Sequence, residues 1–378
     1  MKRTFNYFLL TFITAFVVSC SEKLPENHTA PITENTGQLI VPSTAVRFDE
    51  KSARESPSVE LEEAEDFARL LAVSLNDKNL RKFIKDEANQ KYDGDFDILV
   101  SRVLEKKVSG ERFDERIQRS HLNGIDKGKE TFNKAAKNPK LNISVPVLIE
   151  RWNDLSQKLL VAVAIGANEK ETAYLKAYDG EGNSYLIDAK KEPDAPVIVV
   201  GNNERMGYTI GRAVNSKAKN LRTSGNLEKI TFIQCLDLND IEAWHKGGPE
   251  IQFDCVVYNN DFSAAYAAAS GKQSHVSRET AKDGWIPEGS HLGLFEWYFD
   301  DNHGPDYFLQ VGEMDDAGST HKFTIGVTAG KKDVASGSAS YELTYKGLDI
   351  KLPSELIHYT SSSPRTISDY RIKYTLQN

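Results

Sequence analysis

The chain has 378 residues, of which 39% are apolar and 27% charged, and its formal net charge is −8. That length suits two or three domains with sizeable cores, and the composition excludes a disordered or collagen-like chain. The acidic balance argues against a nucleic-acid partner, which needs a basic footprint.

The chain begins Met1-Lys2-Arg3, and the run from Phe5 to Val18 carries no charge. A basic start, a short apolar run and a small residue before a polar continuation describe a secretory signal peptide over residues 1–19, too short to span a bilayer comfortably. The junction Val17-Val18-Ser19-Cys20 resembles the lipobox of bacterial lipoproteins. That resemblance implies a diacylglycerol thioether on Cys20, cleavage before it and acylation of the new amine, palmitate-type chains included. The lipid bilayer is then a partner, and several chains on one residue make the anchor stable. Losing Lys2 and Arg3 leaves a mature net charge of −10. Ser21 stands where an aspartate would favour inner-membrane retention, so the expected location is the outer membrane, on its periplasmic or surface face. Residues 20–57 are rich in Pro, Ser, Thr, Asn and Glu and read as a flexible tether, whose brief apolar patch at Leu39-Ile40-Val41 either docks on the folded body or stays free.

From Ser58 the spacing of Leu61, Ala64, Phe67, Ala68, Leu71 and Leu75 predicts an amphipathic helix, with Glu60, Glu62 and Glu63 favouring its N-terminal dipole. A second short helix carries Leu80, Phe83 and Ile84, a third starts at Gly94-Asp95, and a weaker fourth runs through Phe113 and Ile117, making residues 58–138 a helical region. Past Pro139 come apolar runs at Ile143–Ile149, Leu159–Ile165 and Pro196–Val200, with a hairpin turn at Asp179–Asn183, which predict a β-rich domain over 139–226. From Leu227 the alternation of Ile251, Phe253, Cys255 and Val257 sets one strand face, and Ala264–Ala269 reads as a short helix. Strands separated by Gly- and Asp-rich turns follow from Trp285, predicting an antiparallel β-sandwich over 227–378. The fold class is therefore α+β: a small N-terminal helical region, then a β-rich body ending in an antiparallel sandwich.

An exported chain sits where disulfides persist. Cys235 and Cys255 either form a bridge or remain two buried thiols acting as small hydrophobes. No H-E-x-x-H, C-x-x-C, G-x-S-x-G or phosphate-cradling glycine motif occurs. The richest constellation is the stretch from Glu296 to Gly318, where Asp300, Asp301, Asp306, Glu313, Asp315 and Asp316 lie in loops at strand ends. Carboxylates clustered on loops are how extracellular sandwiches supply calcium with oxygens, so calcium is the candidate cofactor. The stretch is similar in texture to the calcium loops of C2-like domains. A simple meander puts the loops before and after Tyr307–Val311 at opposite ends, about 20 Å apart, so convergence on one ion requires a crossover. Asp179, Glu181 and Asn183 offer a weaker calcium-loop spacing. Trp285, Trp297, Tyr298, Tyr307 and Phe308 either form a sugar-stacking platform or pack the sandwich core.

The stretches VPVLIERW, AYDGEGN, PVIVVGNNER and EAWHKGGPEI look like uncharacterised exported lipoproteins that carry a domain of unknown function. That resemblance implies no activity. The functional expectation is a membrane-anchored binding or interaction module for a protein or glycan ligand. The alternative is a hydrolase of envelope or extracellular polymer in which Asp300, Asp306 or Glu313 does acid–base work.

Overall fold

The computed structural model describes residues 37–48, 58–119, 128–168, 171–205, 222–259, 264–299, 304–314, 320–329, 337–346 and 348–378. Thr36–Asn378 form one compact unit. Its first half runs β1 (Gln38–Ile40), β2 (Ala45–Phe48), α1 (Val59–Ser74), α2 (Lys78–Ala88), β3 (Asp97–Leu99) and α3 (Val100–Val103). It continues through β4 (Lys107–Val108), β5 (Glu111–Arg112), α4 (Phe113–Gln118), α5 (Gly128–Ala135), β6 (Leu141–Ser144) and β7 (Gln157–Leu159). The strands β8 (Val161–Val163), β9 (Tyr174–Tyr178), β10 (Ser184–Asp188) and β11 (Ile198–Asn202) complete it.

Seven of these strands form a mixed sheet in the order β2-β10-β9-β8-β11-β6-β3, with β8 and β11 parallel and the other neighbours antiparallel. The helices cover one face. Phe67 and Leu71 of α1, Ile84 of α2, Phe113 of α4 and Phe132 of α5 share a core with Ile143, Val161, Val163 and Val200 of the sheet. The other face buries Ala162, Leu175, Ala177, Ile187, Val197 and Val199 beneath Trp244, which comes from the second half of the chain. A sheet covered on both faces has no solvated side, so its central strands read as unbroken apolar runs instead of alternating ones. Ser58 caps α1 by accepting from the Leu61 amide at 3.3 Å, and Asp77 caps α2 by accepting from the Asn79 amide at 2.8 Å.

The second half runs β12 (Asn226–Cys235), β13 (Glu250–Tyr258), β14 (Ala265–His275), α6 (Arg278–Asp283), β15 (Leu292–Trp297) and β16 (Asp306–Met314). Then come β17 (Thr320–Ala329), β18 (Gly337–Lys346), β19 (Leu348–His358), β20 (Arg365–Ser368) and β21 (Ile372–Gln377). Two four-stranded antiparallel sheets, β15-β12-β21-β20 and β14-β13-β16-β19, face each other. They enclose a common core that contains Ile230, Trp297 and Tyr374 of one sheet and Phe253, Tyr307 and Leu309 of the other. Phe253 meets Tyr374 edge-on across the gap, with ring centroids 5.6 Å apart. The fold is α+β, with helices near the N-terminal part followed by mostly antiparallel sheets. No helix among the described residues is long and apolar enough to cross a membrane.

Two local expectations are corrected, and the alternative left open for the cysteines is decided. Residues 38–48, expected within the tether, contribute β1, parallel to β7, and β2, antiparallel to β10. The patch at Leu39 and Ile40 packs on the two cores flanking the sheet, which fixes this segment. Ala265–Ala269, expected to be helical, belongs to β14 because β13 offers it a ladder, and tertiary pairing overrides alanine's helix propensity. The Cys235–Cys255 bridge is not formed, and both are free buried thiols. Cys235 pairs with Ile372 in one sheet of the sandwich, whereas Cys255 pairs with Leu309 in the other. Burial pushes the Cys235 thiol up to about 12, with Arg278 opposing and Glu313 adding, so it stays protonated.

Phe67 is fully buried and packs on Phe132 with centroids 5.9 Å apart. Phe67→Ala is expected to cost about 3–5 kcal/mol in denaturant unfolding, because it opens a cavity between the helical layer and the sheet.

Candidate functional site

Burying charge is costly unless it is paired, so a concentration of buried charged side chains marks where a chain has invested in a site. Here that concentration lies along a seam between the two halves of the unit. One side is the turn from α2 to β3, bearing Asp93, Asp95 and Asp97, and the exit of β11, bearing Asn203, Glu204 and Arg205. The other side is the segment from Glu242 to Glu250, the link from His275 to Arg278, and Glu313 on β16.

Arg205 is the centre of the seam, with only 4% of its side chain exposed. Its Nε donates to Glu250 Oε1, its Nη2 donates to the carbonyls of Gly248 at 2.7 Å and Val276 at 3.3 Å, and Asp95 Oδ2 lies 3.6 Å away. Burial alone would favour its neutral form. Glu250 and Asp95, with Asp97 and Asp93 further off, reverse this and hold its pKa above the ordinary value. Asp95 accepts from the Gly248 amide at 2.6 Å and from its neighbour Phe96 at 2.8 Å. The glycine pair explains this approach. Gly247 has φ +103°, and a Cβ on Gly248 would collide with the Val276 carbonyl, so backbone, aspartate and arginine meet only because side chains are absent.

A second buried arginine holds the same segment from the opposite side. Arg278 Nη1 donates to the carbonyls of Glu242 at 2.9 Å and Gly247 at 3.0 Å, while Nη2 donates to Asn239 at 2.8 Å and to Glu192 at 3.3 Å. Within the segment, His245 is 4% exposed, and neither ring nitrogen has a hydrogen-bond partner among the described residues. Burial, reinforced by Lys246, Arg278 and Lys190, brings its pKa down to about 3 and keeps the ring neutral. His275 is lowered to about 4 by burial, with Arg205 adding and Asp93 opposing. On the near side, Asn203 Nδ2 donates to Asp93 at 2.7 Å and to Asp97 at 3.2 Å. Burial, then the charges of Asp93 and Asp95, raise Asp97 well above the usual carboxylate range.

The clamped segment brings three glutamates together. Glu242, Glu250 and Glu313 are all buried, and each offers a carboxylate oxygen within 4.8 Å of the other two. The Glu250 amide also donates to Glu313 Oε1 at 3.4 Å. This triad could hold a metal ion, since an all-oxygen donor set suits a hard cation.

Residues 67–255, half of the chain, match a family described as Protein of unknown function (DUF3103). The chain belongs to this family. The DUF3103 match takes in most of the helical layer, six strands of the seven-stranded sheet (all but β2), Asp95, Arg205, Glu242 and Glu250, whereas Arg278 and Glu313 lie beyond its end. No curated protein and no solved structure matches the chain.

Of the six candidate calcium carboxylates, Asp300, Asp301, Asp315 and Asp316 lie outside the described residues, as does Cys20. Asp306 and Glu313 are not brought together. They stand seven residues apart on β16, at opposite ends and on opposite faces, about 23 Å from each other. Asp306 lies beside His358, and its pKa is raised by burial, with His358 opposing. Of the two that are described, Glu313 reaches the triad. The turn at Asp179 is closed on itself, its carboxylate accepting from the amides of Glu181 at 2.9 Å and Asn183 at 2.8 Å and from Tyr185 at 3.0 Å. Trp285, Trp297 and Tyr307 are buried in the sandwich core and Phe308 is partly buried, while Tyr298 is exposed. Glu242 and Glu250 escaped sequence reasoning. Glu313 had a readable signal, because it shares its strand face with the core residues Tyr307, Leu309 and Val311.

Arg205→Met removes the cation from Glu250 and Asp95 while keeping much of the volume. It is expected to destabilise the chain by about 3–5 kcal/mol in denaturant unfolding, and adding Glu250→Gln should recover part of that loss.

Proposed function

We propose that the protein is an exported binding module, anchored in the outer membrane through acyl chains on Cys20, whose folded body takes a calcium ion between Glu242, Glu250 and Glu313. The observation that carries the cation reading is the buried triad, with carboxylate oxygens mutually within 4.8 Å. Opposite ligands on one calcium ion stand about 4.6–5.2 Å apart at its usual bond lengths, so these oxygens already fit around a single ion. Three buried carboxylates side by side repel one another and call for added positive charge, and Arg205 supplies one unit of it at Glu250. Three bidentate glutamates would offer up to about six oxygens, within calcium's range, whereas magnesium holds on to its waters and favours strict octahedral sites. The bound ion would supply a fixed positive charge joining the segment before β13 to β16.

The anchoring reading rests on the basic start, the apolar run and the Val-Val-Ser-Cys junction, and the ligand class it leaves open is a protein or glycan outside the cell. After chelator treatment, calcium is expected to raise the thermal midpoint, by the equivalent of about 2.7 kcal/mol at a hundred times Kd. Glu313→Gln should abolish that rise, and a midpoint indifferent to calcium in the wild-type chain would refute the cation reading. Cys20→Ala is expected to move the protein from the membrane to the soluble fraction and to end labelling by a fatty-acid probe. Continued labelling of that variant would count against the anchor.

A further inference from the structure

Three side chains from separate elements meet beside the C-terminal end of α1. Asn76 stands in the link from α1 to α2, Lys158 is the middle residue of β7, and Glu181 lies in the turn between β9 and β10. Lys158 Nζ donates to Asn76 Oδ1 at 3.2 Å and to Glu181 Oε1 at 2.6 Å. Only 6% of the lysine side chain is exposed, a depth that lysine rarely reaches. A buried amine therefore touches both a carboxamide and a carboxylate.

Each of the three is held by bonds of its own. Asn76 Nδ2 donates to the Gly180 carbonyl at 3.3 Å, which leaves the amide oxygen for the lysine. The Asn76 backbone carbonyl accepts from the buried Arg81 at 3.2 Å. Gly180 admits the amide, since a Cβ there would stand 3.0 Å from Asn76 Oδ1 and 3.2 Å from the Ala72 carbonyl. The backbone of Lys158 is set by the ladder with β1, opposite Leu39. Glu181 is fixed through its amide, which donates to the Asp179 carboxylate at 2.9 Å. The amide carbon of Asn76 is one C=O bond beyond Oδ1, so Nζ stands within about 4.4 Å of it. A small rotation at the end of the lysine closes this to the roughly 3–3.5 Å of an attacking geometry.

We propose that the folded chain joins Lys158 to Asn76 by an isopeptide bond, with Glu181 carrying the proton. Glu181 takes a proton from the Lys158 ammonium, and the freed amine attacks Asn76 Cγ. The Nζ–Cγ bond forms and the Cγ–Nδ2 bond breaks. Two of the three amine protons pass to the departing nitrogen, the first by way of Glu181, and it leaves as ammonium. Charge and atoms balance without an oxidant or any co-reactant. Half of the Glu181 side chain is exposed, which gives the ammonium a route to solvent. The bond ties the α1–α2 link to β7, across 82 positions of sequence.

The test is a tryptic digest of the denatured full chain, read by mass spectrometry. Wild type is expected to yield a branched peptide joining residues 70–78 to residues 152–170, lighter by one ammonia than the two together, because trypsin cannot cut after an acylated Lys158. Lys158→Arg and Asn76→Ala should lack it. Glu181→Gln, compared with wild type at equal times after synthesis, should accumulate it on the order of a hundredfold more slowly, the lower end of what a positioned proton acceptor contributes. The wild-type digest stands by itself should a variant fail to fold. Separate peptides from wild type after prolonged incubation, with trypsin cutting after Lys158, would reduce the trio to an ion pair and overturn the proposal. Formation at the wild-type rate in Glu181→Gln would overturn the proton route.

Discussion

The structure depends on one buried guanidinium. Arg205 is the residue at which the exit of the seven-stranded sheet, the α2–β3 turn and the opening of the sandwich all meet. A charge in that position is tolerable only if its anions and carbonyls are held close, and holding them close fixes the two halves against each other. The glycine pair at 247 and 248 follows from this constraint, as does the approach of Asp95 to the Gly248 amide. The triad stands at the edge of the same arrangement, since Glu250 serves both Arg205 and the cluster with Glu242 and Glu313.

The same logic recurs inside the sandwich. Arg222 pairs with Glu228 at 2.9 Å with both side chains fully buried, and Tyr307 donates to the other oxygen of Glu228 at 2.7 Å. Arg222 also donates to the carbonyls of Ser361 and Ser362 at 2.8 and 2.9 Å, tying the link between β19 and β20 to the core. In the first half, Arg81 is wholly buried and its guanidinium reaches the carbonyls of Leu75, Asn76, Asp154 and Leu155. Buried arginines are thus this chain's device for pinning loops to cores, each serving several carbonyls through its planar fork of donors.

The class of fold was legible because it rests on local patterns. The spacing of Phe67, Ala68, Leu71 and Leu75, with acidic residues ahead of them, announces α1, and the alternation of Ile251, Phe253, Cys255 and Val257 announces β13. What escaped was set by partners distant in sequence. The strand identity of Ala265–Ala269 depends on β13, and the docking of Leu39 and Ile40 depends on sheet strands more than a hundred residues away. The candidate site was nearly illegible for the same reason. Glu242, Glu250 and Glu313 are scattered over seventy residues, without a shared motif or ligand spacing, and converge only where the link between β12 and β13 meets two strands. Counting carboxylates along the chain favoured the dense loops, whereas burial selects the sparse ones. A charged residue in an inward register, such as Glu313, was the one clue that a sequence reader could have used.

The family match ends at Cys255, in the middle of β13, and begins at Phe67, inside α1. A segment cut there would keep part of β13 while losing β14 and β16, the neighbours on both of its sides. Two rows of backbone amides and carbonyls would then face water on a strand whose side chains are buried throughout, and such an edge invites association with other chains. The limits of similarity therefore fall where the polypeptide cannot be severed. Evolutionary recurrence and mechanical independence are different properties of this chain, and a study of the recurring portion by itself would examine a surface that the whole molecule never presents.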